Sequence, residues 1–340
     1  MNIIYFGTPD FSAHVLERII TEMKDVLNIN LVVTQPDKPV GRKQILTPSP
    51  VKLMAQKYKI PIIDTIDSLL HGSIANNKLD LALVYAYGEI LPKEVLNIPK
   101  YGFWNIHPSL LPKYRGPAPI AYPLILGDSG TGVTLMQMDE FMDHGPLLAQ
   151  EQYQIQVGER RENLEKKLSD LGFTMFQNII VETSRLNVST HGRGEGSPLF
   201  LSTTPPPVPQ KHDGATYTKI LHKDDGFIPF NLLAKALQNQ PIIYAEFPQI
   251  IKTYYKSPKN KFEIQNIHDT HSSAQIIYDL FRGLHPWPGI WTTLPDLNKR
   301  LKLIDLDLQE GNLIIKQVQL EGKNIVDFPT FTSAYKIFKV

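Results

Sequence analysis

The sequence predicts an α/β fold with a mostly parallel sheet, followed by a smaller domain of antiparallel strands. Three observations carry that expectation. Short apolar runs alternate with helical hydrophobic spacing through the first half of the chain. Residues 79–87, LDLALVYAY, are almost continuously apolar over the length of one strand, as a strand covered on both faces must be. Near the C-terminus the pattern changes to strand-like runs at 290–294, 301–308 and 313–320, which suit a small OB-like β-barrel.

With 340 residues, the chain is long enough for two domains with separate cores. It has no cysteine, which excludes a disulfide framework and thiolate metal sites and suits a cytoplasmic enzyme. Lys and Arg number 35 against 34 Asp and Glu, so any nucleic-acid contact must come from local basic patches. The opening MNIIYFGTPDF has no basic flank and no long apolar core, and is expected to be a first strand rather than a targeting peptide. No run approaches the length of a membrane span, so no membrane partner is expected.

Residues 2–6 predict a strand, Gly7-Thr8-Pro9-Asp10 a turn, and residues 11–23 a helix with Phe11, Val15, Leu16, Ile19 and Ile20 on its inner side. Thr8 or Asp10 is the expected cap. No G-x-G-x-x-G follows this strand, so a dinucleotide fingerprint is absent. A second strand spans 29–34, and residues 35–50 then leave regular structure, with four prolines and a glycine. This loop carries Lys38, Arg42 and Lys43, with Lys52, Lys57 and Lys59 on the helix behind. It is either a solvated basic loop or an arm that contacts phosphates. Residues 61–63 make a brief third strand, 66–77 a poorly patterned helix or loop, and 117–126 a helix. Residues 132–138 and 147–157 are strands, and 159–186 form an amphipathic helix that closes the first domain. The glycines and prolines of 188–214 make a linker.

The chemistry concentrates in residues 101–119, YGFWNIHPSLLPKYRGPAP. Here a buried strand delivers Asn105 and His107 into a Pro/Gly-rich loop. Their spacing of two places both side chains on one face, so a carbonyl can meet an amide donor and a titratable ring together. An ordinary strand-end histidine capped by its neighbours has the same local pattern. Farther on, Asp139 and Asp143 stand four residues apart before the turn Gly145-Pro146. His107 and His144 have no third ligand at useful spacing, and no metal is expected.

Asn105, His107 and Ser109-Leu110-Leu111-Pro112 together resemble the Asn-x-His-x-Ser-Leu-Leu-Pro signature of the folate-dependent formyltransferases. The resemblance implies a Rossmann-like catalytic domain over 1–187 and an OB-like, tRNA-binding domain over 215–340. It also implies 10-formyltetrahydrofolate as co-substrate. Asp143 fits the family's Met-Asp-x-x-x-Asp-x-Gly pattern and would be the catalytic carboxylate beside Asn105 and His107, with Asp139 and His144 structural. Ala86, Tyr87, Gly88, Ile90 and Leu91 are similar to the loop that cradles the folate pterin, together with Ser109, Leu110, Leu111 and Pro112 of the signature.

Residues 34–52 resemble the insertion of the tRNA-directed members, which makes Lys38, Arg42 and Lys43 tRNA contacts and initiator methionyl-tRNA the formyl acceptor. The turn 282–289, RGLHPWPG, resembles one in the same members. Trp287 and Trp291 are stacking platforms for RNA or, more commonly for such residues, packing aromatics. A formyltransferase acting on an amino sugar or purine precursor, and an RNA-binding protein without turnover, are the competing readings. A monomer is expected.

Overall fold

The computed structural model describes residues 1–41, 43–71, 79–188, 207–260, 270–335 and 337. In chain order its elements begin β1 (Asn2–Gly7), α1 (Asp10–Glu22), β2 (Asn28–Val33), β3 (Lys38–Val40), β4 (Ile45–Thr47), α2 (Pro50–Lys57), β5 (Ile62–Ile63) and α3 (Ile66–His71). They continue β6 (Leu81–Tyr85), α4 (Lys93–Leu96), β7 (Phe103–His107), α5 (Ala121–Ile125), β8 (Gly130–Gln137), β9 (Leu147–Gln154) and α6 (Arg161–Val188). The remainder is α7 (Phe230–Leu237), β10 (Pro241–Ile242), α8 (Gln249–Tyr255), β11 (His271–Ser272), α9 (Ser273–Leu284), β12 (Ile290–Leu294), β13 (Lys299–Gln309), β14 (Asn312–Leu320), β15 (Ile325–Asp327) and α10 (Phe328–Tyr335).

Two compact units result, and they are not contiguous in sequence. The first comprises 1–115, 132–153 and 165–213; the second comprises 116–131, 154–164 and 214–340. Residues 116–131 join the C-terminal unit because α5 packs on α9 so closely that a Cβ on Gly283 would lie 2.8 Å from the Ala121 carbonyl. The helix expected over 117–126 is the single turn α5, and the linker expected over 188–214 falls largely outside the described residues.

A seven-stranded sheet of order β5-β2-β1-β6-β7-β8-β9 organises the first unit. The pairs β5–β2, β2–β1, β1–β6 and β6–β7 are parallel, and β7–β8 is antiparallel. Chain order runs outward from β1 to β5 and then reverses to β6 and β7. The carboxyl ends of β1 and β6 therefore form a topological switch point, where α/β sheets hold ligands. Both faces of the sheet are covered, which explains the unbroken apolar run of β6. Ile4, Phe6, Val33, Ala82, Val84 and Phe103 pack with Leu69 and Val95 on one side. On the other, the Tyr5 hydroxyl donates to the Ser12 carbonyl at 2.8 Å, the Tyr85 hydroxyl meets Ser169 Oγ at 2.8 Å, and Gly172 of α6 leaves room for Ile106.

Neither expected residue caps α1. Pro9 occupies the cap position with no side-chain bond, Asp10 is the first helical residue, and Thr8 Oγ1 donates instead to the Tyr87 carbonyl at 2.9 Å. The switch point has captured the hydroxyl that local sequence offered to the helix.

Residues 35–50 also depart from the expected irregular loop. β3 and β4 form a two-stranded antiparallel ribbon outside the main sheet, with Gly41 at φ +71° in its turn. Prolines are compatible with such a ribbon because each strand has a free edge. Thr34 Oγ1 and Ser49 Oγ meet at 2.6 Å across its base, and Ser49 Oγ caps α2 by accepting from Lys52 N at 3.0 Å.

In the second unit β12, β13, β14 and β15 pair in line as a four-stranded antiparallel sheet. The long stretch before it contains α7, α8 and the small β10–β11 ladder. Trp291 is packed on this sheet, with Nε1 donating to the Lys223 carbonyl at 3.2 Å and the Arg300 guanidinium 4.2 Å over its ring; Trp287 is exposed.

Candidate active site

β7 ends where its pleat places Asn105 and His107 on one face, both buried. The loop after β8 brings Asp143 to them. Asp143 Oδ1 lies 3.5 Å from His107 Nδ1 and 3.5 Å from Asn105 Nδ2. The other ring nitrogen, Nε2, is 3.2 Å from the Tyr114 carbonyl. His107 thus has an oxygen facing each ring nitrogen, Asp143 Oδ1 on one side and the Tyr114 carbonyl on the other. All three expected catalytic residues therefore meet at one carboxylate oxygen.

The 109–112 segment is held from beneath. Thr134, which pairs with His107 across β7 and β8, donates to the Ser109 carbonyl at 2.7 Å and accepts from Leu111 N at 3.1 Å. Gln150 Nε2 donates both to Thr134 Oγ1 at 2.9 Å and to the Leu111 carbonyl at 2.8 Å. Ser109 is buried with Oγ donating to the Lys113 carbonyl at 2.6 Å, and Leu111 is buried. Leu110 and Pro112 are half-buried, with Leu110 lying against Gly132. No local pattern marked Tyr114, Thr134 or Gln150, because each acts through a carbonyl or a hydroxyl that becomes relevant only after the strands pair.

Residues 86–91 leave β6 at the switch point. Ala86 and Gly88 have φ of +53° and +90°, and both are exposed. Tyr87 and Leu91 turn inward to the core, where the Tyr87 ring meets Phe6 edge-on at 5.4 Å. Burial, and then the carboxylate of Glu89, pushes the Tyr87 phenol well above its ordinary pKa. Ile90 is 75% exposed. The loop thus offers the main chain at Ala86 and Gly88 beside one apolar side chain, a combination that fits a flat ring rich in hydrogen-bonding groups.

Asp139 and His144 lie outside the convergent trio: His144 Nδ1 is 2.7 Å from Asp139 Oδ2, and the His144 ring stacks on His212 at 4.1 Å. Among the described residues no group of three His, Asp or Glu side chains gathers in metal-binding geometry. Lys38 and Lys43 are exposed on the β3–β4 ribbon, with Lys38 Nζ bonded to Gln35 Oε1; Arg42 lies outside the described residues. Lys52 is engaged with Asp37 at 2.7 Å and Lys57 with Glu17 at 2.7 Å. No helix among the described residues is long and apolar enough to cross a membrane.

A mostly parallel sheet with an amide, an imidazole and a carboxylate converging at a strand's carboxyl end is the setting in which α/β enzymes hold a ligand. The formyl transferase family model matches residues 1–180, and the chain belongs to that family. It is 36% identical to the methionyl-tRNA formyltransferase of Caldicellulosiruptor saccharolyticus over 347 aligned positions, covering the whole of this chain and 98% of the relative.

Among solved structures, methionyl-tRNA formyltransferase from Clostridium thermocellum matches 96% of this chain and 99% of its own, with TM-score 0.51 at 16% identity. A sugar N-formyltransferase from a Shewanella species matches 90% and 97%, with TM-score 0.54 at 13% identity. At these identities the two structures share the fold and do not choose between acceptors.

Proposed function

We propose that this chain transfers the formyl group of 10-formyltetrahydrofolate to the α-amino group of methionine on initiator methionyl-tRNA, giving N-formylmethionyl-tRNA for translation initiation. The observation that carries the reading is the convergence of Asn105, His107 and Asp143 within 3.5 Å contacts in a chain whose full length aligns with methionyl-tRNA formyltransferases.

Attack of the amine on the formyl carbon makes a tetrahedral centre bearing an oxyanion. Asn105 Nδ2 donates to that oxygen without any change of charge, and His107 shares the role by turning its Nδ1 side from Asp143 toward the oxygen. Asp143 takes the proton released by the attacking nitrogen. As the bond between the formyl carbon and N10 breaks, that proton returns to the departing nitrogen. No covalent enzyme intermediate is formed.

Ala86, Gly88 and Ile90 hold the pterin, supported by Tyr87 and Leu91 and by the 109–112 segment. Residues 1–187 supply the catalytic domain, apart from 116–131 and 154–164, which belong to the unit built on 215–340 that binds tRNA. Lys38, Arg42 and Lys43 contact the RNA backbone. The protein acts as a cytoplasmic monomer and uses no metal.

The test is formyl transfer to methionine-charged initiator tRNA, charged elongator tRNA and an amino-sugar nucleotide, run side by side. Rapid transfer to the initiator alone is expected. Transfer only to the sugar would overturn the acceptor and leave the folate chemistry standing.

A further inference from the structure

We infer that Gln210 is a positioning residue for Asp143, acting through the main chain of the 143–145 turn. The inference rests on Asp143 being the proton carrier of the reaction proposed above. Asp143 sits at φ +49°, in the left-handed backbone region that residues other than glycine occupy sparsely. Two residues on, a Cβ at Gly145 would lie 2.0 Å from the Gln137 carbonyl, so the turn is pressed against β8 on one side.

Gln210 supplies the other side. Its Nε2 donates to the Asp143 carbonyl at 3.2 Å and to the Gly145 carbonyl at 3.1 Å. An amide nitrogen has two hydrogens, and this one spends both on the turn. The amide oxygen accepts from Arg115 Nη2. Because a guanidinium only donates, Arg115 fixes which end of the amide faces the turn.

Gln210 is itself held in place. It is 6% exposed and Arg115 is 2% exposed. Leu147 N donates to the Val208 carbonyl and Val208 N to the Leu147 carbonyl, each at 2.8 Å, so the segment carrying Gln210 is paired to β9. Arg115 Nη2 also lies 2.8 Å from His212 Nδ1, and the His212 ring is stacked on His144. Adjacent residues thus brace both halves of the catalytic pair: the Tyr114 carbonyl receives the His107 ring, and Arg115 orients the amide that holds the Asp143 turn. Since Gln210 touches the main chain and not the carboxylate, its loss should move the carboxylate without removing it.

The test is Gln210→Glu in the full chain. The carboxylate keeps an oxygen for Arg115 but sets its second oxygen against the two carbonyls. The assay reads kcat and KM for 10-formyltetrahydrofolate and methionyl-tRNA, with amide hydrogen exchange over 139–146. A small displacement of a reacting group costs about a hundred-fold in rate, so kcat should fall by that order while both KM values stay within about two-fold. Exchange in the 139–146 turn should rise about ten-fold or more, with the rest of the chain unchanged. Gln210→Met, which fills the same space without donors, should behave alike.

Wild-type kcat in Gln210→Glu would overturn the inference, as would exchange that rises throughout the chain. If the wild-type chain transfers no formyl to methionyl-tRNA, the proposed function fails, and the exchange arm alone decides whether Gln210 holds the turn.

Discussion

His107 and Asp143, 36 positions apart in the sequence, face each other at 3.5 Å from Nδ1 to Oδ1, with side chains only 4% and 14% exposed. That burial removes most of the water that would screen the pair, so the ring and the carboxylate act on one another and on whatever enters beside them. The carbonyl of Tyr114 on the far ring nitrogen fixes the ring's orientation.

Asp143→Asn keeps the shape of the side chain and removes its capacity to take a proton. Turnover should fall about a hundred-fold or more, with KM for either substrate little changed. Steady-state kinetics check this, and near-normal kcat would remove Asp143 from the mechanism.

Asn105→Ala deletes the donor that the proposed mechanism directs at the developing oxyanion. A loss of about 10² to 10³ in kcat is expected. If KM rises instead while kcat holds, Asn105 is a binding residue.

Thr134→Val should destabilise the protein by about 1–3 kcal/mol, because it strands the buried donor at Leu111 N and the buried carbonyl of Ser109. Urea unfolding measures this. A change below about 0.5 kcal/mol would mean that the 109–112 segment re-forms its bonds elsewhere.

Lys43→Ala on the exposed ribbon should raise KM for the tRNA several-fold and leave kcat and the folate KM unchanged. It should also reduce the slope of log affinity against log salt by about one, the signature of a single lost phosphate contact. An unchanged salt slope would leave Lys43 a solvated surface residue.

His212 bears on the response to acid. Desolvation, then the His144 ring and the Arg115 guanidinium, hold its pKa below the usual histidine value. The folded chain therefore resists a proton that the unfolded chain accepts. Stability associated with His212 is full above about pH 6.5 and declines as pH falls toward the lower folded value. Replacing it in His212→Gln should flatten the fall in urea midpoint between about pH 7.5 and about pH 5.5, and an unchanged profile would assign that fall to other groups.

Several of these residues were legible in the sequence because their signals are local. Asn105 and His107 stand two apart at the end of an apolar run, and strand geometry alone puts them on one face. The burial of β6 was readable from its unbroken apolar composition. The β3–β4 ribbon was not, since four prolines and a glycine describe a loop, and only Pro39 of the four falls within the paired strands. The cap of α1 was misread for a related reason: Thr8 is a good cap by type, but the Tyr87 carbonyl, 79 residues away, takes its hydroxyl.

By itself the sequence determined the alternation of strands and helices, the pairing of an amide with an imidazole at a strand end, and the resemblance that named a chemistry. These depend on backbone periodicity and residue type, which are properties of a few neighbouring positions. The tertiary structure alone decided that Asp143 reaches both Asn105 and His107, that Thr134 and Gln150 support the 109–112 segment, and that Gln210 grips the turn carrying Asp143. Each of these contacts joins groups 23 or more positions apart through a carbonyl, a hydroxyl or an amide, groups common enough along any chain that only the fold selects which of them meet.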